Sequence, residues 1–413
     1  MKNKKHNKLK NNLISKIFNA EYVKSNQNYY LLFSFVFLSI LGLFILLSAS
    51  SYLTIRFNHG RYYYVLKQGL AFLIGFIIMY IFSKIDYRLY YKKAGLLYLG
   101  ALFLLICVFI PGISLKLNGA RRTVDFKIIS FMPSDIVKPV AMMMLAKILV
   151  VAAKKKLKYN WKEGFIIPMI IIGIPVGLVF LQPDLSTSIV LFLTLIAMFS
   201  VENMNKRYAL ALLVLIIVGG FLAYKLMKPY QLDRLTAFLN PEAHSNDEAW
   251  QVLHGLYAVS RGEISGVGYG KSIFKHGYLA NEVSNDMIFA VIGEEFGFIG
   301  SVLFILLIFT ITYLIINEAK KAREKFPKLL VYGIGMLYFI QSMINVGVSL
   351  SIIPNTGITL PFISSGLTSV LSFCAMFGIV LNVSRKNNYD EKQEKKLLKL
   401  KNRKYWKNSF KIS

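Results

Sequence analysis

The sequence predicts an all-α, polytopic integral membrane protein of about ten transmembrane helices, with a large extracytoplasmic loop between helices seven and eight. Three observations carry this expectation. About ten stretches are long and continuously apolar, and roughly 18 such residues suffice to cross a hydrocarbon core as a helix. None alternates as a barrel strand would, and lipid leaves only helices or closed barrels because it cannot pair exposed backbone groups. Composition agrees: of 413 residues, 55% are hydrophobic and 17% charged.

The first 28 residues hold seven lysines and one glutamate and read as a basic cytoplasmic tail. The apolar run behind them is too long for a signal peptide and lacks a small-x-small exit, so a retained first helix is expected at 29–52. Further apolar runs predict helices at 67–84, 94–112 and 134–152. Only Gln182-Pro183-Asp184 separates the next two, at 165–182 and 185–201, so they form a tight hairpin. The seventh is expected at 207–226. The eighth, at 287–316, is long enough to require a tilt, a break or a first turn outside the membrane. The last two are expected at 329–353 and 361–384, closing a membrane domain over 29–384. Short helices are expected within the 227–286 loop. A basic tail at 385–413 carries eleven Lys or Arg against three Asp or Glu. It reads as a solvated topology anchor or, through Tyr405 and Trp406, as a membrane-surface or partner-binding segment.

Charge sets the orientation. The formal net charge is +28, which in a soluble chain would suggest nucleic acid. Here the excess gathers in both tails and in the loops 86–93, 154–162, 202–207 and 318–328. With ten spans these share one side, and retention of Lys and Arg makes that side the cytoplasm. No nucleic-acid partner follows. Cys107 and Cys374 lie in apolar runs outside any Cys-x-x-Cys motif and read as buried hydrophobes. No internal repeat of the kind that marks many transporters is evident.

Polar residues that could carry chemistry cluster at the opposite, extracytoplasmic side. In 118-NGARRTVDF-126, Asn118 favours a turn, while Arg121 and Arg122 offer permanently charged donors suited to phosphate oxygens. In 132-MPSDIVKP-139, Asp135 and Lys138 share a helix face, and Lys138 near a span end calls for a partner, water or an anion. A headgroup-level arginine pair and an internal ion pair explain the same residues. Asp184 stands at the hairpin tip, where capping of the next helix suffices to explain it. The large loop carries Arg234, Arg261, Lys271 and Lys275, a plausible anion site whose glycines lack a nucleotide-binding context.

The sharpest run is 284-SNDMIFAVIGEEFGFIG-300. Ser284 or Asn285 is expected to cap a helix, with Asp286 at its start and Glu294 and Glu295 further along, Glu294 on roughly the same side. Unpaired ions at membrane depth are costly, so a polar cavity or basic partner is expected for the glutamates; a cap plus a structural glutamate pair is the plainer reading. Gln341 and Asn345, one turn apart, suit interhelical hydrogen bonding. Ser364 and the small residues after it suit close packing. No three-ligand metal signature is present.

Taken in order, NGARR, MPSDIVK, LQPDLST, GEISGVGYGKS, NDMIFAVIGEEFGFIG and PNTGITLPFISSGLTS resemble the SEDS family of membrane peptidoglycan polymerases over roughly 35–384, with 47-LSASS-51 fitting the end of span one. Thr123, Asp135, Ser186, Ala280, Asn285 and Leu367 depart from the usual residues. The resemblance implies an inverting glycosyltransferase that builds β-1,4 glycan strands from lipid II, releasing undecaprenyl diphosphate. It makes Asp286 the general base or acceptor-orienting carboxylate, and Arg121, Arg122, Lys138, Arg234 and Lys271 substrate-binding residues. Asn118, Asp135, Asp184, Glu294, Glu295, Gln341, Asn345 and Ser364 become supporting residues. No cofactor is specified, and a divalent cation could share the diphosphate charge. The implied partners are a class B penicillin-binding protein and other divisome proteins, at a septum-enriched site in the cytoplasmic membrane. The division branch fits better than elongation or sporulation. A lipid II flippase and a noncatalytic scaffold are the alternatives.

Overall fold

The structure is a computed structural model that describes residues 22, 25–110, 112, 114–117, 120–125, 130–157, 159–203, 205–227, 229–239, 250–276, 278–279 and 283–409. Among the described residues, ten helices are long and apolar enough to cross a membrane. They are α1 (Tyr29–Ala49), α3 (Tyr63–Lys84), α4 (Tyr87–Cys107), α5 (Pro133–Lys154), α6 (Lys162–Leu181), α7 (Leu185–Asn203), α8 (Lys206–Leu226), α11 (Ile288–Lys321), α12 (Lys325–Ser349) and α13 (Leu367–Ser409). Shorter helices are α2 (Ser51–Arg56), α9 (Pro229–Leu239) and α10 (Trp250–Arg261). The last two lie in the large loop, where short helices are expected from sequence.

Several helix starts follow from their caps. Asn28, Asp86 and Asn205 each accept a backbone N–H of the following first turn, at 3.0, 2.8 and 2.9 Å. These bonds satisfy donors that a helix N-terminus otherwise leaves unpaired. Asp86 therefore starts α4 at Tyr87, well before the expected residue 94. The first span ends at Ala49, and Ser50 turns the chain into α2.

Two other departures are larger. The 113–133 stretch is not a plain loop: β1 (Ser114–Leu117), β2 (Ala120–Asp125) and β3 (Ser130–Phe131) form a small antiparallel sheet in the order β1-β2-β3. The last span begins at Leu367 rather than 361 and continues as helix to Ser409 instead of ending at 384. Its polar half is rich in good helix formers and carries i,i+4 pairs, Lys386–Asp390 at 2.7 Å and Glu391–Lys395 at 2.6 Å.

α5, α12 and α13 form the centre, each with 67% of its most apolar stretch buried, whereas α8 stands at the rim with 6%. α3 lies along α13, α11 along α12, and α5 between α4 and α7. The start of α1 and the stretch of α13 after residue 384 lie on one face, here called the terminal face. There, Asn28 and Asn387 both donate to the buried carboxylate of Glu318, each at 3.0 Å. The sheet, α9, α10 and the connections around them make up the other, loop face. Cys374 is buried as expected, but Cys107 is only half-buried.

Candidate functional site

α5 opens at the loop face with Pro133 in its first turn, a position where a missing N–H costs nothing. Asp135 and Lys138 follow on one face. Lys138 Nζ donates to Asp135 Oδ1 at 3.0 Å and to Gln341 Oε1 of α12 at 3.3 Å. Thr368 of α13 donates to Asp135 Oδ2 at 2.8 Å. Pro139 cannot donate to the Asp135 carbonyl four residues back, and Ser372 Oγ fills that place at 2.6 Å. Lys138 is 5% exposed, so its charge is held by a carboxylate and an amide oxygen, as a buried ammonium requires.

α12 carries this cluster to the next. One turn beyond Gln341, Asn345 donates from Nδ2 to the Asp286 and Ile358 carbonyls, both at 2.8 Å. Gln341 Nε2 donates to the Thr359 carbonyl at 3.0 Å. Gln341 thus both bridges α12 to α5, as expected, and binds the 358–359 segment, while Asn345 binds the chain segments at 286 and 358. Ser364 Oγ donates to the Asn285 carbonyl and accepts from Leu360 N at 2.8 Å. Ser365 N donates to the Ser284 carbonyl at 2.8 Å, and its hydroxyl to Asn285 Oδ1 at 2.5 Å. Gln68 of α3 holds the same connection through the Ser364 carbonyl at 3.1 Å. The serines thus fasten the turn bearing Asp286 and are more than small residues for packing.

That turn differs from the expected cap. Asn285 is occupied by Ser365, and the residue preceding α11 is Met287, which makes no side-chain cap bond. Asp286 is 4% exposed and stands before the helix rather than in its first turn. The expected helical offset from Asp286 to Glu294 does not apply. At the hairpin tip, Asp184 Oδ1 accepts Thr187 N–H at 3.2 Å, the bond of an N-cap on α7. Arg122 Nη2 donates to the neighbouring Pro183 carbonyl at 2.5 Å, and Ser186 Oγ donates to the Thr356 carbonyl.

Glu294 and Glu295 have a different task. α11 breaks at Gly297, whose φ of 65° only glycine adopts without strain. A break leaves N–H and C=O groups unpaired, and the large loop supplies all four partners. Phe298 and Ile299 N–H donate to the Glu263 and Ile264 carbonyls at 2.8 and 3.1 Å. Val267 and Gly268 N–H donate to the Glu294 and Glu295 carbonyls, both at 3.0 Å. The approach is close: a Cβ on Gly266 would lie 2.2 Å from the Glu295 oxygen. The side chains seal the junction. Glu294 binds Arg261 at 2.6 Å, Ile273 N at 3.0 Å and the Ser272 hydroxyl. Glu295 binds Lys275 at 3.0 Å and Ser48 of α1 at 2.5 Å. Tyr269 in the same loop has its pKa raised, first by burial and then by the Glu295 charge.

Two cavities adjoin the first clusters. An apolar one of about 490 Å³ runs from Met132, Thr368 and Ser372 to Phe82 and Tyr90, between α3, α4, α5 and α13. A more polar one of about 370 Å³ lies beside Ser365 and Gly366, lined also by Lys67, Gln68 and Ser130.

Of the residues singled out from sequence, Asp135, Lys138, Gln341, Asn345, Ser364 and Asp286 are brought together across α5, α12, α13 and the 283–287 turn. Arg122 and Asp184 meet at the adjoining hairpin tip. Arg261 and Lys275 are engaged by glutamates, which corrects their reading as part of an anion site. Lys271 is exposed beside that glutamate junction. Arg121 pairs with Lys116 in the sheet and Arg234 lies on α9, with both side chains outside the described residues, as is all of Asn118. Ser372, Gln68 and Lys67 were missed, Thr368 was read only as a small packing residue, and Ser48 only as part of 47-LSASS-51. A lone hydroxyl or amide in an apolar helix is the signal that could have marked all of these but Lys67. Among the described residues, no group of three His, Cys, Asp or Glu side chains is placed to hold a metal ion.

Comparisons with known proteins identify the family and the fold. The FtsW/RodA/SpoVE family, described as "Cell cycle protein", matches residues 29–389. The probable peptidoglycan glycosyltransferase FtsW of Coxiella burnetii is 34% identical over 351 residues, 83% of this chain and 92% of the relative. Stage V sporulation protein E of Bacillus subtilis is 34% identical over 349 residues, 84% of this chain and 94% of the relative. A chain from a solved peptidoglycan synthase complex that coordinates polymerization and crosslinking superposes with a TM-score of 0.71 at 24% identity, covering 87% of this chain and 98% of that one. Rod shape determining protein RodA of Thermus thermophilus gives 0.65 at 23%, covering 87% and 97%. The chain belongs to the FtsW/RodA/SpoVE family.

Proposed function

We propose that this protein is a peptidoglycan glycosyltransferase that polymerises lipid II at the outer surface of the bacterial cytoplasmic membrane. The observation that carries the proposal is the fixed turn bearing Asp286. Its carboxylate-bearing residue is buried at the loop face, and α12 ties it within one turn of the Lys138–Asp135 cluster. The named activity of relatives at 34% identity supports the same reading.

In this reading, the 4-hydroxyl of an acceptor N-acetylglucosamine attacks the anomeric carbon of the donor N-acetylmuramic acid. The new C–O bond forms as the bond from that carbon to the diphosphate oxygen breaks, inverting the centre. Asp286 takes the hydroxyl proton, and undecaprenyl diphosphate departs with the electron pair. A carboxylate is a weak base for a sugar hydroxyl, so its burial and the growing positive character of the attacking oxygen must assist. Lys138, with Arg121 and Arg122 from the sheet, offsets charge on the leaving diphosphate. Arg234 and Lys271 extend the same role to the large loop. The apolar cavity next to Thr368 and Ser372 gives a polyprenyl chain a path along the bundle. The proposal assigns no resident cofactor; a divalent cation would arrive with the diphosphate.

The basic terminal face is the cytoplasmic one. The proposed role is septal synthesis in division, supported by the family's description as a cell cycle protein and by relatives named FtsW. The proposed crosslinking partner is a class B penicillin-binding protein within the divisome, supported by the likeness to a chain of a complex that coordinates polymerization and crosslinking. Purified protein, with its partner where required, is tested by glycan-strand formation from labelled lipid II. Wild type forms strands and Asp286→Asn forms none while keeping its thermal unfolding profile. Leaflet exchange without strands would overturn the proposal in favour of a flippase, and partner binding without either activity would make the protein a scaffold.

A further inference from the structure

A second charged cavity lies at the opposite end of the bundle and takes no part in the proposed chemistry. It has a volume of about 360 Å³ and sits where α4 begins, α5 ends and α12 begins. Arg88, Lys92, Lys154 and Lys325 line it against one carboxylate, Glu324. Arg88 is paired with Glu324 at 2.9 Å, and Lys325 with Glu202 outside the cavity at 2.5 Å. Among the described residues, no ion pair engages Lys92 or Lys154. The cavity therefore holds two uncompensated ammonium groups from different helices.

A second, independent feature lies in its wall. Tyr87 is 1% exposed, and its hydroxyl makes no hydrogen bond of ordinary geometry, although the Glu324 carboxylate is near. That carboxylate is already paired with Arg88, which leaves the buried hydroxyl poorly satisfied. A ligand oxygen in the cavity would restore the missing bond. The remaining walls, Tyr91, Val150 and Phe326, are apolar or aromatic. Tyr91 packs edge-on against Phe326 at 5.2 Å and receives Lys147 at 5.8 Å over its ring.

We propose that this cavity binds the phosphodiester headgroup of an anionic phospholipid in the leaflet at the terminal face. Two free ammonium groups and a phenolic donor match a phosphate's charge and acceptor oxygens. The ends of three spans place the cavity at headgroup level, and its apolar walls suit the start of acyl chains. A free phosphate ion would use the charges but not those walls. Basic pockets between helices at the cytoplasmic side are a recognised setting for such headgroups. The inference is independent of the polymerase reading, because binding is measured without turnover.

The test is native mass spectrometry of the purified full chain in detergent, titrated with phosphatidylglycerol or with phosphatidylcholine of the same acyl chains. Phosphatidylglycerol should bind saturably and more tightly. Lys92→Gln with Lys154→Gln should weaken it about fivefold for each charge removed. Tyr87→Phe should weaken it about threefold while leaving thermal unfolding of the lipid-free protein unchanged or raised. The control, Lys155→Gln with Lys156→Gln, removes the same charge from the same face outside the cavity and should stay within about twofold of wild type. Equal losses in control and cavity variants would overturn the site in favour of diffuse surface charge. Equal affinity for both lipids would also overturn it. Displacement of phosphatidylglycerol by millimolar inorganic phosphate, unaided by acyl chains, would replace the lipid with a soluble ion.

Discussion

The two carboxylate clusters at the loop face look alike in sequence and differ in what they hold. Asp135 and Lys138 pair three residues apart on one helix, with Gln341, Thr368 and Ser372 brought from two others. Glu294 and Glu295 pair with Arg261 and Lys275, 33 and 20 residues earlier in the chain, and so tie a loop to a broken helix. The first cluster borders an apolar cavity and connects through α12 to the Asp286 turn. The second is tied by four backbone bonds between the loop and α11. Burial of charge alone therefore separates neither role; what matters is whether the partners join two helices beside an open cavity or close a seam.

The largest effect expected from this contrast is on turnover. Asp286→Asn removes the proposed proton acceptor, and loss of a positioned base lowers rates by about 10²–10⁴-fold. The unfolding midpoint should stay near wild type, since the bond from Asn345 goes to the main chain. A rate within tenfold of wild type in strand-formation assays would place the base elsewhere. The seam should behave in the opposite way. Glu295→Ala leaves Lys275 buried and uncompensated, which costs about 3–5 kcal/mol of stability. Unfolding in detergent reads that loss, and limited proteolysis should show earlier cleavage within 262–276. The double variant Glu295→Leu, Lys275→Met should recover most of it.

Gly297→Ala tests the seam without touching charge. A Cβ there would lie 2.3 Å from Gly266 N, on a backbone with φ of 65°. The strain should cost about 1–3 kcal/mol, again read by unfolding; a neutral result would show that the break is incidental. Asp184 gives the smallest change. As an N-cap, its replacement by alanine should cost about 1 kcal/mol and by asparagine almost nothing. Strand formation by Asp184→Asn should remain near wild type, and a large fall would move this residue from the scaffold to the chemistry.

The spans were legible because an apolar run of membrane length has only one way to satisfy its backbone. Their number survived errors at the ends, such as the start of α4, which Asp86 sets through a cap that hydropathy does not register. The helix beyond residue 384 was missed because polarity was read as a tail, although Lys and Glu at i,i+4 spacing favour a helix. The sheet at 114–131 was missed because its strands are too short to show alternation. At the site, Asp135 and Lys138 were readable from their spacing. Their partners Thr368 and Ser372 were not, because contacts between residues more than 200 apart leave no local pattern. The four exchanged backbone bonds at Gly297 involve no side chain; the length of α11 and the glycines at 266 and 297 allow such a break but do not name its partners.

Those bonds also bear on how the protein is built. Residues 263–268 are synthesised before 294–299, so the acceptors and donors that complete α11 exist before the helix that needs them. The outer segment, Ile288–Phe296, has no independent continuation across Gly297 and depends on a template already delivered to the loop face. In the folded chain the eighth span is therefore complete only where the loop at 263–268 meets it. A chain whose loop stayed on the wrong side would retain all its apolar segments and still lack a completed eighth helix.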